Sequence, residues 1–120
     1  MNTKHVTSLE ISKQLAEAGI VIESEFVWVL DTRKRKPASI HLDGTAVTVI
    51  TSGYVTKYPA PIATEILERL PENVTIISHI NDGRLIGGNM AVHGDVRVLN
   101  NSLPDALALL LIRLTKDGLI

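Results

Sequence analysis

Ser102-Leu-Pro-Asp-Ala-Leu-Ala-Leu-Leu-Leu-Ile-Arg-Leu-Thr-Lys-Asp-Gly118 reads as a helix with both ends marked. Ser102 and Asp105 stand in a capping-box relation, and Pro104 falls in the first turn, where a missing N–H costs nothing. Arg113 and Lys116 suit the last turn, and Gly118 suits a left-handed cap. Between them Ala106 to Ile112 are seven apolar residues in succession. A helix apolar on nearly all sides needs cover from more than one direction. A sheet on one side and another helix on the other would supply it within one chain, and incomplete cover would leave an interface. Leu107, Leu110, Leu111 and Leu114 are therefore candidates for a homodimer or partner interface, with the core as their other placement. An Leu111→Asp change would give a soluble monomer in the first case and an unfolded chain in the second.

Strands fill the sequence before that helix. Glu25 is followed by Phe-Val-Trp-Val-Leu30, apolar at every position, as in a strand covered on both faces. Ala38, Ile40 and Leu42 alternate with Ser39, His41 and Asp43, and Asp43-Gly44 is a favoured hairpin dipeptide leading into a strand at Ala46 to Ile50. Thr51 to Pro61, punctuated by Gly53, Pro59 and Pro61, predicts a surface connection. Strands are expected around Val74 to Ile80, Arg84 to Ala91 and Asp95 to Leu99, with Asp82-Gly83 as a turn and Gly87-Gly88 as a bulge. Two more helices are expected. Thr7 and Glu10 form a T-x-x-E capping box for a helix at Ser8 to Ala18 closed by Gly19, and Ile62 to Leu70 forms a second, closed by Pro71. The element order α-βββ-α-βββ-α gives an α+β fold, an antiparallel sheet of about six strands with helices mainly on one face.

With 120 residues, 45% of them hydrophobic and 21% charged, the chain is expected to form one domain over residues 1–120. Aromatic residues are only Phe26, Trp28, Tyr54 and Tyr58, so stacking surfaces are scarce. A net charge of -1 argues against a globally basic protein, leaving only local attraction for nucleic acid. Absence of cysteine removes disulfides, thiolate metal sites and cysteine nucleophiles. No apolar run is long enough for a bilayer, and a cytoplasmic location without membrane contact is the expectation.

Three segments together resemble small uncharacterised proteins of bacteriophages and other mobile elements. They are Thr7-Ser-Leu-Glu-Ile-Ser-Lys-Gln-Leu-Ala-Glu-Ala-Gly19, Pro59-Ala-Pro-Ile-Ala-Thr-Glu-Ile-Leu-Glu-Arg-Leu-Pro71, and the closing helix with its Gly118-Leu119-Ile120 end. The chain departs from that pattern at Ile62, where such proteins tend to carry threonine. The resemblance implies a genomic setting and assigns no catalytic residue.

Arg33-Lys34-Arg35-Lys36 is the charge run of the sequence, placed in a turn between strands, where a cationic tip would reach phosphates. A solvated tip that discourages strand aggregation has the same composition. His41 with Asp43, His79 with Asp82, and His93 with Asp95 pair an imidazole with a carboxylate, as metal or acid–base chemistry requires, but each aspartate also stands beside a glycine in a turn. No H-x-x-H or H-E-x-x-H spacing accompanies them, the glycines match neither phosphate-binding fingerprint, and no serine lies in a nucleophile elbow. No cofactor is expected. The sequence favours a non-enzymatic interaction module, homodimeric and binding a macromolecule of host or phage. A nucleic-acid-binding accessory protein using Arg33 to Lys36 is the alternative, and a small metal-dependent hydrolase stands third.

Overall fold

A computed structural model describes residues 5–33, 38–46, 48–81 and 86–119, with side chains at all of these except 43–46, 78–81 and 86–87. The chain runs α1 (Leu9–Glu17), β1 (Ser24–Asp31), β2 (Ala38–Ala46), β3 (Ile50–Ser52), β4 (Val55–Pro59), α2 (Ala63–Leu67), β5 (Thr75–Asn81), β6 (Ile86–His93), β7 (Val96–Asn100) and α3 (Leu103–Lys116). The strands form two antiparallel sheets, one of order β2-β1-β4-β3 and one of order β5-β6-β7. The α+β class and antiparallel pairing agree with expectation; the strands divide four and three between two sheets.

The long apolar helix is covered from within its own chain. α3 packs on β6 and β7 and against α1 and α2. Nine of its residues are buried, from Pro104 to Leu114. This explains how a helix apolar all round exists without exposing a stripe. Ile11, Leu15, Ile22, Ile66, Leu70, Ala91 and Val96 complete the core around it. β7 and β6 alternate as the pleat requires: Ala91 is fully buried under α3, whereas Ile77 and Leu99, in the neighbouring cross-strand row, are each 43% exposed.

Two local expectations give way to long-range pairing. Asp43-Gly44 does not close a hairpin, because β2 continues through it to Ala46. Phe26 pairs with Leu42 but Ser24 pairs with Ala46, so two residue steps on β1 oppose four on β2, and Asp43-Gly44 lies in this bulge. Thr51 to Pro61 is not a plain connection either. β3 and β4 pair as a hairpin with Ser52 opposite Val55, which leaves Gly53-Tyr54 as a two-residue loop. Gly53 has φ +60°, the first-position geometry of a primed turn. His93-Gly94-Asp95-Val96 repeats the device with Gly94 at φ +60°. The bulge expected at Gly87-Gly88 is present as a register shift between Ile80–Gly88 and Asn81–Ile86.

β1 is interior to its sheet but less covered than its composition suggests. Ser24, Val27 and Asp31 are buried, and Phe26, Trp28, Val29 and Leu30 are half-buried. Helix packing concentrates on the other sheet, and α1 meets the larger one mainly at β4.

The start of the chain is tied into the interior by polar contacts. Thr7 donates its N–H to the Pro61 carbonyl (3.0 Å), and Val6 bridges Ile62, which draws Thr7 into extended backbone and out of the capping role. Ser8 is the N-cap, its Oγ accepting from the Ile11 N–H (3.3 Å), while the buried Thr7 hydroxyl contacts Ser12 Oγ (2.6 Å). Trp28 Nε1–H donates to the Thr7 carbonyl (2.7 Å), and the Ser8 N–H donates to Asp105 Oδ1 (2.7 Å). Asp105 thus caps α1 across the molecule rather than completing a reciprocal box with Ser102, whose Oγ still accepts from the Asp105 N–H (3.5 Å). At α2 the N-cap Ile62 offers no side-chain acceptor, and Glu65 Oε1 takes the Ile62 N–H (2.9 Å). The Gly118 end of α3 is as expected: Gly118 and Leu119 N–H groups return to the Thr115 and Leu114 carbonyls, a Schellman closure that α1 repeats at Gly19 and Ile20.

Candidate nucleic-acid interface

Of the basic tract, Arg33 lies within the described residues and Lys34, Arg35 and Lys36 lie outside them. Arg33 stands two residues beyond Asp31, the last residue of β1, at one end of the four-stranded sheet. Because β1 also pairs with β4, with Asp31 opposite Val55, the Gly53-Tyr54 turn comes to the same end. The Thr32 N–H donates to the Tyr54 carbonyl (3.2 Å), which holds the two tips together.

Asp31 sets the direction of the guanidinium. The Arg33 N–H and Nε–H both donate to Asp31 Oδ1, and Nη2 donates to Oδ2, each at 3.1 Å. This is a forked pair with one end sunk in the fold: the Asp31 side chain is 8% exposed and that of Arg33 is 60% exposed. The hydrogen bond to the carboxylate, together with its charge, pushes the Arg33 pKa upward, so the group stays cationic throughout the range in which proteins fold. From this anchor the guanidinium carbon lies 5.3 Å from the centroid of the Tyr54 ring, in cation–π range. Tyr54 itself is 64% exposed. The tip therefore presents a fixed cation and an open aromatic surface side by side, next in sequence to three further cations.

The other aromatic residues serve elsewhere. Trp28 and Tyr58 face each other across β1 and β4; Trp28 is tied to Thr7, and the Lys13 ammonium lies 5.8 Å from the Tyr58 ring centroid. Tyr54 is one of the few aromatic residues the sequence offers to the basic tract for stacking, but the pairing that brings it to Arg33 has no local signature, because residues 51–61 read as a connection. The available signal for the β3–β4 hairpin was Ser52-Gly53 between two β-prone runs.

Leu107, Leu110, Leu111 and Leu114 are 0, 0, 3 and 0% exposed within the single chain. Of the two placements open to them they occupy the core, so they offer no surface to a second copy. Their cover comes from β6, β7, α1 and α2.

Of the three histidine–aspartate pairs, only His93 with Asp95 has both side chains among the described residues. His41 Nε2 contacts Ser39 Oγ (2.9 Å), the side chains of Asp43 and His79 and all of Asp82 lie outside the described set, and His93 has a buried Nδ1 without a hydrogen-bond partner among the described residues. Among the described residues no three histidine, aspartate or glutamate side chains converge on a possible metal position. The described residues form concavities as well. An apolar one of about 250 Å³ lies between α1 and the following segment, lined by Leu15, Ala16, Ile20, Val49, Pro59 and Pro61 among others. A wider cleft of about 540 Å³ lies where α2 and α3 begin, with His5, Phe26, Thr64, Asn101, Ser102 and Pro104 in its wall. No described helix is long and apolar enough to cross a membrane.

No protein-family model matches the chain, and comparisons with curated proteins and with solved structures find no similar protein.

Proposed function

We propose that the chain is a non-enzymatic binding module that grips single-stranded nucleic acid at the tip of its four-stranded sheet. The observation that carries this reading is Arg33, anchored by Asp31 and laid against an exposed Tyr54 at the head of the Arg33-Lys34-Arg35-Lys36 run. Cations at a tip neutralise phosphates, and an aromatic ring beside them accepts an unstacked base from a single strand. A net charge of -1 confines the attraction to this tip and makes a weak, salt-sensitive complex the expectation. The resemblance to small mobile-element proteins supports a setting in which phage or host nucleic acid is at hand, and the cysteine-free composition suits the cytoplasm.

The other site considered for a macromolecular partner, the leucines of α3, is enclosed by the chain itself. The tip is the exposed alternative.

Fluorescence anisotropy of labelled single- and double-stranded oligonucleotides, at low and physiological salt, tests the proposal. Single strands should bind at low salt. If Lys34, Arg35 and Lys36 each meet one phosphate, the slope of log K against log salt should be about -2, from roughly -0.7 per phosphate contact. Tyr54→Ala should weaken binding by about 5- to 150-fold, the equivalent of 1–3 kcal/mol for one stacked base. Absence of binding at low salt, or equal binding after all four basic residues are neutralised, would sink the proposal and direct attention to a protein partner.

A further inference from the structure

Among the described residues β5 lies at the edge of its sheet, and its described side chains, Thr75 to Ile77, are exposed on both faces. Its partner is β6, and α3 lies over β6 and β7. In the row Ile76–Ala91–Val98 the consequence is visible, since Ala91 under the helix is 0% exposed while Ile76 at the rim is 36% exposed. On the opposite face Ile77 is 43% exposed and lies in the row Ile77–Met90–Leu99. Soluble proteins ordinarily guard such an edge with lysine, proline or an inward charge. Thr75-Ile-Ile-Ser-His-Ile-Asn81 carries no lysine, arginine, aspartate, glutamate or proline. Its register irregularity comes only after Ser78, leaving Thr75 to Ser78 regularly paired with Asn89 to Val92.

We infer that β5 is the seam of a homodimer, in which two copies pair their β5 strands antiparallel about a two-fold axis and join their small sheets into one of six strands. An unpaired edge needs a strand as its occupant, and a second copy brings one that is matched to it. Neither strand carries a charged residue, so the seam sets no like charges against each other. Opposite residues in an antiparallel pair share a face, so a two-fold pairing must be centred on a residue rather than between two. Centred on Ile77, it places Ile77 against Ile77 of the second copy. The exposed apolar row then runs Leu99, Met90, Ile77 and on through the same three residues of the other chain; on either side of the centre Ile76 stands opposite Ser78 of the second copy, and the overlap ends with Thr75 opposite His79. Centred on Ile77 the two strands overlap over residues 75–79, about 17 Å at 3.3 Å per residue, at the small end of specific interfaces, so the dimer is weak and concentration-dependent.

Sedimentation analysis of the full chain from micromolar to submillimolar concentration should show the 13.1 kDa species giving way to one of twice that mass. Ile77→Lys should abolish the larger species while leaving the circular dichroism spectrum intact. Leu99→Lys, on the same face at the far edge, should leave most of the dimer in place. Because the chain has no cysteine, Ile77→Cys gives one clean probe, and mild oxidation should link it into a covalent dimer far faster than Leu99→Cys. A parent chain monomeric throughout, a dimer that survives Ile77→Lys without linking through Ile77→Cys, or equal disruption by Leu99→Lys, which would indicate face-to-face packing, would each overturn the seam.

Discussion

Replacing Asp105 separates what its hydrogen bond does from what its charge does. The carboxylate is 7% exposed, and its Oδ1 accepts the Ser8 N–H at 2.7 Å, binding the start of α1 to the first turn of α3. Burial is the main cause of a raised pKa, reinforced by the charge of Glu10 and opposed by the Ser8 hydrogen bond. The folded protein therefore holds this proton more tightly than the unfolded chain. The resulting contribution to stability is full below the ordinary carboxylate value, about 3.9, and fades as pH rises through the raised folded value. Asp105→Ala leaves the Ser8 N–H without an acceptor at a cost of about 1–3 kcal/mol, and removes a charge at a helix N-terminus worth about 0.3–1 kcal/mol more. At roughly 4 °C per kcal/mol for a chain of this size, Tm should fall by about 5–15 °C. Asp105→Asn keeps an acceptor for Ser8 and removes both the buried charge and its favourable dipole interaction, so at pH 7 it should remain within about 1 kcal/mol of the parent. Urea unfolding at a series of pH values checks both statements. The parent should lose stability relative to the asparagine variant as pH rises from about 4 toward neutrality. Equal losses for alanine and asparagine at pH 7 would refute the hydrogen bond as the element that matters, and parallel pH profiles would refute the burial of the charge.

Other perturbations test the remaining structure. Leu110→Ala, at a fully buried position in α3, should cost about 2–5 kcal/mol in urea unfolding, and Leu111→Asp should give an unfolded chain rather than a folded monomer by circular dichroism. Trp28→Phe removes the donor to the Thr7 carbonyl and should destabilise by about 1 kcal/mol beyond the change in apolar area, measured by thermal unfolding. Asp31→Asn releases part of the Arg33 charge while keeping an acceptor; the salt slope of oligonucleotide binding should steepen by about 0.7, one further phosphate contact.

The parts of the fold legible in the sequence are those decided within a few residues. The α3 helix, its Ser102 cap, the Gly19 and Gly118 ends and the Gly87-Gly88 irregularity follow from local chemistry, and all are present. Asp43-Gly44 is not decided locally, because the same dipeptide suits a hairpin or a bulge, and only pairing with Ser24 to Phe26, far away in sequence, selects the bulge. Pro59 and Pro61 obscured β4, yet Pro59 is its last residue, at the end of the ladder opposite Val27. The N-cap moved from Thr7 to Ser8 for a similar reason, as the bridge between Val6 and Ile62 has no local signature. At the candidate site the cations were legible and their arrangement was not: Asp31 stands two residues before Arg33, but Tyr54 reaches it only through the pairing of β1 with β4.

That arrangement divides the work of the tip between two kinds of residue. Asp31 is nearly enclosed, and through it the fold orients a side chain that is mostly outside. A guanidinium held by two nitrogen–oxygen contacts has already lost much of the rotamer freedom that a binding partner would otherwise have to freeze, which favours association without any new contact. The same carboxylate offsets its charge, so Arg33 supplies position and a stacked plane more than long-range attraction. Net positive charge next to Arg33 in sequence then comes from Lys34, Arg35 and Lys36, whose attraction is long-ranged and screened by salt. Loss of Arg33 should accordingly be felt in what the tip holds against Tyr54, and loss of the other three in how strongly salt competes. A tip that merely kept strands soluble would need the second property and have no use for the first.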